Sequence, residues 1–169
     1  MILVYILTKY HFKEGKVNTN YEIDGLDREI LNHLLKDART AYLEIARNLK
    51  VSGGTIHQRI DKMKEAGIIK GSHLEIDHEL IGLGVTILIG IHLHGARTIS
   101  KVLEQLNTLP EVVEAYYTSG TYALIIKVHV ANIKHYHRFL VDHLQKIDEI
   151  RFTESFICLD HPISRPIQL

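Results

Sequence analysis

A chain of 169 residues with 46% hydrophobic and 24% charged residues can bury the core of one ordinary domain or of two small ones. Lys+Arg and Asp+Glu balance at 20 each, so the total charge draws the chain neither to nucleic acid nor to a membrane, and any electrostatic argument rests on local placement. No apolar run approaches the roughly 18 residues that span a bilayer, and the single Cys158 excludes an intrachain disulfide and suits a reduced, cytoplasmic setting.

Met1 to Leu7 is apolar, yet no basic residue precedes it and no small-residue cleavage site follows, which argues against a signal peptide. Residues 8–20 are polar and carry neither the helix nor the strand period. Residues 1–22 are therefore set apart as an N-terminal extension. Within them, residues 1–16 read as an addition or a misplaced start, with Val17 as the candidate true start, or as a strand that pairs elsewhere.

Residues 23–76 read as a helical domain. Asp24 can cap a first helix by accepting from free N–H groups of its first turn, and Leu26, Ile30, Leu31 and Leu34 follow at helical spacing. Thr40 is the next capping candidate, before Tyr42, Ile45, Ala46 and Leu49. Lys50-Val51 makes a short turn, and Ser52 caps a third helix with Ile56, Ile60 and Met63 on its core face. Gly67 supplies the left-handed residue that ends helices. Ile68 to Ile76 reads as short extended structure, a wing or hinge strand.

Three short helices with only a few residues between the second and third form the helix-turn-helix pattern. The side of the third helix away from its apolar stripe carries Gly54, His57, Gln58, Asp61 and Lys62. Gln can read adenine with two hydrogen bonds, and His and Lys can reach acceptors on guanine or phosphate. Ser52, Thr55 and Arg59 share one flank and suit phosphate contacts. Between Arg47 and Lys70 six basic residues (Arg47, Lys50, Arg59, Lys62, Lys64, Lys70) face only Asp61 and Glu65, so a neutral chain carries a basic patch where a groove-reading helix would lie. Read for packing alone, the same segment is three helices with solvated charges.

Residues 77–84, with two glycines, read as a hinge, and residues 85–169 change period. Val85, Ile87, Ile89, Ile91 and Leu93 alternate as a strand. Ile99, Val102, Leu103 and Leu106 fit a helix. Val113, Ala115 and Tyr117, then Tyr122, Leu124, Ile126, Val128 and Val130, read as two strands joined by a Ser119-Gly120 turn. Ile133, Tyr136, Leu140 and Leu144 fit a second helix, and Ile150, Phe152, Phe156 and Cys158 one face of a last strand. The class is thus α+β, a helix-turn-helix domain followed by a ferredoxin-like β-α-β-β-α-β domain. Leu88, Ile125, Ile157 and Leu159 fall on the strand faces away from the helices, and an apolar open face calls for a partner, most economically a second copy paired sheet to sheet.

Several stretches together are similar to the Lrp/AsnC family of transcriptional regulators over about Ile23 to Ile167. They are Ile23-Asp24-Gly25-Leu26-Asp27-Arg28-Glu29-Ile30-Leu31, Asp37-Ala38-Arg39-Thr40, Val51 through Arg59, Lys62 through Ile69, and Glu114 through Gly120. Ala115-Tyr116-Tyr117 and Ile147-Asp148-Glu149-Ile150 resemble the asparagine-sensing AsnC branch most. The resemblance implies sequence-specific operator binding, regulation of amino-acid metabolism, dimers gathered into rings, often octamers, and an amino-acid effector held between dimers near the β2–β3 turn. Carried over by position, it implies an effector set of Ser119, Gly120, Thr121 and Tyr122 at the turn and Thr153 and Glu154 on the last strand. Gly120 would let a ligand carboxylate approach backbone N–H groups. Taken as residues alone, Ser119-Gly120 is a hairpin turn. The chain departs from the family where many members carry Asp, here Thr121 and Ala123, and where relatives often start the third helix with Pro, here Gly53.

Twelve histidines raise the question of metal. His92 and His94 share a strand face and His129 is expected nearby, but no Cys pair or His-x3-His spacing joins them, so no metal site and no cofactor is expected. A phosphate loop and a nucleophile elbow are both missing, so no enzyme is expected. Three readings stand: an effector-tuned operator-specific regulator, an architectural protein that wraps DNA with little specificity, and a small metabolic enzyme with a helical appendage. Nothing catalytic supports the third.

Overall fold

The computed structural model describes residues 21–169; the expectations for residues 1–16 lie outside them. The chain divides into two compact units, one running to Leu74 and including Ile163–Leu169, the other Glu75–Pro162.

The first unit holds α1 (Gly25–Lys36), α2 (Tyr42–Leu49) and α3 (Gly53–Glu65). Asp24 caps α1 with a reciprocal box: its carboxylate accepts from the Asp27 N–H, and Asp27 accepts from the Asp24 N–H. Ser52 caps α3 by accepting from the Thr55 N–H. Thr40 does not cap α2. Its hydroxyl donates to the Asp37 carbonyl at 2.8 Å, and the N-cap is Ala41, which has no side chain to offer. The turn between α2 and α3 puts Lys50 in the left-handed region at φ 55°, a cost that a packed turn offsets. Val51 closes it by donating to the Ala46 carbonyl at 3.0 Å. Ile30, Leu31, Ile45, Ala46, Ile56, Ile60 and Met63 form the core. Gly67, at φ 71°, ends α3 as expected, and Ile68 and Ile69 fold back onto the core. No strand forms between Ile68 and Ile76, because that segment finds no ladder partner among the described residues.

The second unit contains β1 (Val85–Leu93), α4 (Ile99–Leu106), β2 (Val112–Tyr117), β3 (Leu124–Val130), α5 (Ile133–Asp142) and β4 (Ile150–Ile157). The sheet order is β2-β3-β1-β4, with every neighbouring pair antiparallel. Both helices pack on one face, where Ile87, Ile89, Ile91, Leu124, Ile126 and Val128 are fully buried against Val102, Leu106 and Phe139. Each such side chain contributes about 1.5–3 kcal/mol of apolar transfer. Asn132 caps α5 by accepting from the His135 N–H. The α5 stripe differs from the expected one: Ile133 is exposed, and Tyr136 and Phe139 face the sheet. Leu144 reaches the core from a 3-10 turn after the helix has ended.

Two bulges reset the strand faces. In β2 the register shifts between Val112 and Glu114, so Val112, not Val113, stands opposite Val128 on the helix side. In β4, His92 pairs with Phe152 and Leu93 with Ile150, leaving Arg151 unpaired. Ile150 therefore faces the helices, whereas Phe152 and Phe156 stand opposite His92 and Leu88 on the open face. Ile157 pairs with Ile87 on the helix side and Leu159 lies beyond the strand, contrary to the expected alternation. The open face keeps its apolar character with Leu88, Tyr116, Ile125, Phe152 and Phe156.

His129 lies beside Thr86, six residues along β1 from His92, so these histidines cannot share a ligand. It is buried, with Nδ1 2.9 Å from Thr86 Oγ1 and its ring stacked 4.1 Å from that of His78. Burial first, then the nearby His78 and Lys127 charges, hold its pKa below the ordinary value, and Glu114 opposes them. The folded unit thus binds this proton less readily than the unfolded chain. Its stability is present above the unfolded value of about 6.5 and is lost as pH falls from there toward the folded value. Urea midpoints at about pH 7.5 and about pH 5.5 should therefore diverge more in the native chain than in His129→Gln. Equal pH sensitivity in the two would contradict this assignment.

Candidate DNA interface and effector pocket

α3 buries Ile56, Ile60 and Met63 and leaves Gly54, His57, Gln58, Asp61 and Lys62 exposed, as the helical period requires. His57 meets the Tyr42 ring edge-on at 4.8 Å, which limits its rotation. Ser52 and Thr55 sit at the N-terminus of the helix with their hydroxyls 2.8 Å apart. That end carries the positive pole of the helix dipole and suits an anionic oxygen. Gly53 lies under Leu43, whose Cδ2 would be 3.0 Å from an added Cβ, so a side chain here would require Leu43 to turn aside.

Arg59, expected to contact phosphate, pairs within the unit. Its Nη1 donates to Asp24 Oδ2 at 2.7 Å and to Asp27 Oδ1 at 2.9 Å. The two carboxylates raise its pKa further, and the Asp27 N–H and Arg59 together lower that of Asp24. The Arg59 Nη1 is thus held between two carboxylates at the start of α1, which offset its charge. The partners lie 35 and 32 residues away in sequence; the only hint in the sequence is the pair of acids spaced by three at the start of α1.

In the second unit, the β2–β3 turn borders a cavity of about 240 Å3 lined by Ser119, Gly120 and Thr121 together with His92, Leu93 and Ile99. The turn is closed by bonds from the Thr118 N–H to the Ala123 carbonyl and from the Ala123 N–H to the Ile91 carbonyl. Gly120 has a φ that any residue adopts, and an added Cβ there would meet nothing within 4 Å. Among the described residues no carboxylate lines this cavity.

The remaining effector candidates lie elsewhere. Tyr122 precedes β3 and does not share the alternation of Leu124 and Ile126. Its ring lies flat over Gly90 on the open face, and its hydroxyl donates to Glu154. That bond is the main reason its pKa is raised. Thr153 stands opposite Ile91 on the other side of β4. So one protomer brings together Ser119, Gly120 and Thr121, and separately Tyr122 and Glu154, while Thr153 joins neither group. His92 was missed by sequence reasoning. It lines the cavity and stacks on Phe152 at 3.8 Å. Gly90 was also missed, although a glycine interrupting an apolar strand signals close approach by another group.

Among the described residues no three His, Cys, Asp or Glu side chains converge to hold a metal. Nor is any described helix long and apolar enough to cross a membrane.

A three-helix unit with an exposed third helix in one part of the chain and an α+β unit with a cavity in the other define a DNA-binding regulator that carries a separate ligand-binding domain. The winged helix-turn-helix DNA-binding family matches residues 23–70, and the Lrp/AsnC ligand binding domain matches residues 85–167. The chain is 47% identical over 148 residues to regulatory protein AsnC of Haemophilus influenzae, covering 88% of this chain and 99% of that one. It is 46% identical over 149 residues to regulatory protein AsnC of Escherichia coli K12, covering 88% and 98%. The solved structure of E. coli AsnC superposes with a TM-score of 0.84 at 45% identity, over 88% of this chain and all of that one. A regulator from Neisseria meningitidis solved with L-Met, 17% identical with a TM-score of 0.81 over 88% and 96%, has the same fold. The chain belongs to the Lrp/AsnC family. It is a transcriptional regulator with a DNA-binding helix-turn-helix and a ligand-binding domain, and not an enzyme.

Proposed function

We propose that this regulator binds specific operators of amino-acid metabolism genes through the outer face of α3, and that an amino acid held beside Ser119, Gly120 and Thr121 sets its affinity. The observation that carries the reading is the exposed row Gly54, His57, Gln58 and Lys62 on a helix whose opposite stripe is fully buried. Gln58 reads a base edge, His57 and Lys62 reach bases or phosphate, and Ser52 and Thr55 hold a phosphate at the helix N-terminus. Asparagine is the first effector candidate, because relatives at 46–47% identity are AsnC regulatory proteins. The open apolar face supports sheet-to-sheet dimers, which would cover Tyr122 and Glu154 and leave the Ser119–Thr121 turn, with Thr153 on the other side of β4, to the clefts between dimers. An octamer of four such dimers is the family-like assembly, and it works in the cytoplasm where its operators are.

A cavity lined, among the described residues, by no carboxylate favours one second reading, a DNA-wrapping architectural protein without an effector. Affinity for a duplex selected from a random pool, against a mixed-sequence duplex, separates the two. Gln58→Ala is expected to reduce preference for the selected duplex by about 5–150-fold, corresponding to about 1–3 kcal/mol for one bidentate base contact. Affinity for mixed DNA should stay nearly constant. A native chain that binds both duplexes equally supports wrapping, and a Gln58→Ala chain with full preference puts the reading face elsewhere.

A further inference from the structure

We propose that Arg59 is a positioning residue of the recognition helix, a pin that fixes its rotation against α1, and that it is not a contact to DNA. α3 is otherwise held to the unit by Ile56, Ile60 and Met63, and apolar contacts of this kind are non-directional and tolerate small rotations of a helix about its axis. The Arg59 guanidinium adds a directional link. Its Nη1 is shared between Asp24 Oδ2 at 2.7 Å and Asp27 Oδ1 at 2.9 Å. Asp27 is 1% exposed, and its other oxygen accepts from the Tyr21 hydroxyl at 3.0 Å and from the Asp24 N–H at 3.2 Å. Both oxygens of a buried carboxylate are thus committed, one to α3 and one to the start of α1, so the receiver of the pin cannot swing.

The consequence falls on the neighbouring residue. Gln58 precedes Arg59 on the same helix, and a fixed Arg59 fixes the direction in which Gln58 and His57 leave the domain. Two-bond readout of a base needs placement to within about 0.5 Å, which a freely rotating helix does not provide. The ion pair therefore acts on discrimination between sequences more than on attraction to DNA. This inference rests on the sequence-specific reading above.

The charge makes the test sharp. Taking a negative charge off a DNA-binding domain ordinarily tightens binding to every duplex. Asp27→Asn removes one, yet the amide cannot accept from Arg59 at one atom and from Tyr21 and the Asp24 N–H at the other, so the pin loses one of its two anchors and its charge. The full chain would be titrated by fluorescence anisotropy with a duplex selected by the native protein from a random pool and with a mixed-sequence duplex, across a salt series. Asp27→Asn and Arg59→Gln are each expected to lower the ratio of selected to mixed affinity by about tenfold, with the salt slope on mixed DNA unchanged. An Arg59 phosphate contact would instead lower the Arg59→Gln slope by about one and weaken both duplexes alike. That result, or tighter binding of Asp27→Asn to both duplexes, would overturn the proposal. Circular dichroism melting identifies a variant that fails to fold. In that case the double variant Asp27→Asn/Arg59→Gln, which leaves no buried charge unpaired, decides by the same two criteria. A native chain with no preference between the duplexes would overturn sequence-specific binding itself, whereas a native preference that the variants retain overturns only the pin.

Discussion

Gly90→Val is expected to break the proposed sheet-face dimer while leaving the fold of the protomer in place. An added Cβ at Gly90 would lie 2.5 to 2.7 Å from three atoms of the Tyr122 ring, closer than real side chains approach. These include Cγ at the root of the ring, so a small rotation of its tip is no remedy. Tyr122 must leave, and its bond to Glu154 and its edge contact with His92 go with it. Forced overpacking of this kind costs about 1–3 kcal/mol. The ring then projects from the face that carries Leu88, Phe152 and Phe156, where a flat partner has to seat. The helix side of β1, with Ile87, Ile89 and Ile91, is untouched, so circular dichroism should be near native. Sedimentation should show a shift to smaller species, and adding Tyr122→Ala to Gly90→Val should restore association by vacating the space. Native assembly in the single variant would mean that the copies meet on another surface.

Gly120→Val should do the opposite, sparing assembly and abolishing the effector response. The backbone at Gly120 is one that valine adopts without strain, and the space around its Cβ is open, so folding should be unaffected. Gly120 lines a cavity of only about 240 Å3, so the isopropyl group would crowd the rim where the proposed ligand carboxylate approaches the turn. In the native chain, an amino acid at a hundredfold excess over its dissociation constant stabilises the bound state by about 2.7 kcal/mol. A thermal-shift screen against the twenty amino acids would find that ligand. In Gly120→Val the same ligand should give no shift, and an undiminished shift would place the effector outside this cavity. A native chain that responds to none at millimolar concentration would favour the architectural reading.

Much of this was legible in the residues because it depends on neighbours in the chain. Asp24 and Ser52 cap the helices they precede, and Gly67 ends α3. The stripes of α1 to α3 and the alternation of β1 follow periods of a few residues. The exposed side of α3 follows from its buried side, so the helical period alone places Gly54, His57, Gln58 and Lys62 there. Family membership was carried by several short stretches read together.

The sequence by itself determined the order of elements, the two units' differing periods, the exposed face of α3 and the turn at Ser119-Gly120, all properties of local backbone preference and apolar spacing. Only the tertiary structure decided which faces the last residues of the sheet present. A single bulge residue at Arg151 reverses every side chain beyond it, and a bulge is a property of the pairing between strands, not of one strand. It likewise decided that Arg59 belongs to Asp24 and Asp27 and that Tyr122 lies on Gly90, since those partners are about 30 residues apart and meet only after the chain has folded. Periodicity assigns a side chain to a face; the packed structure alone determines what it meets there.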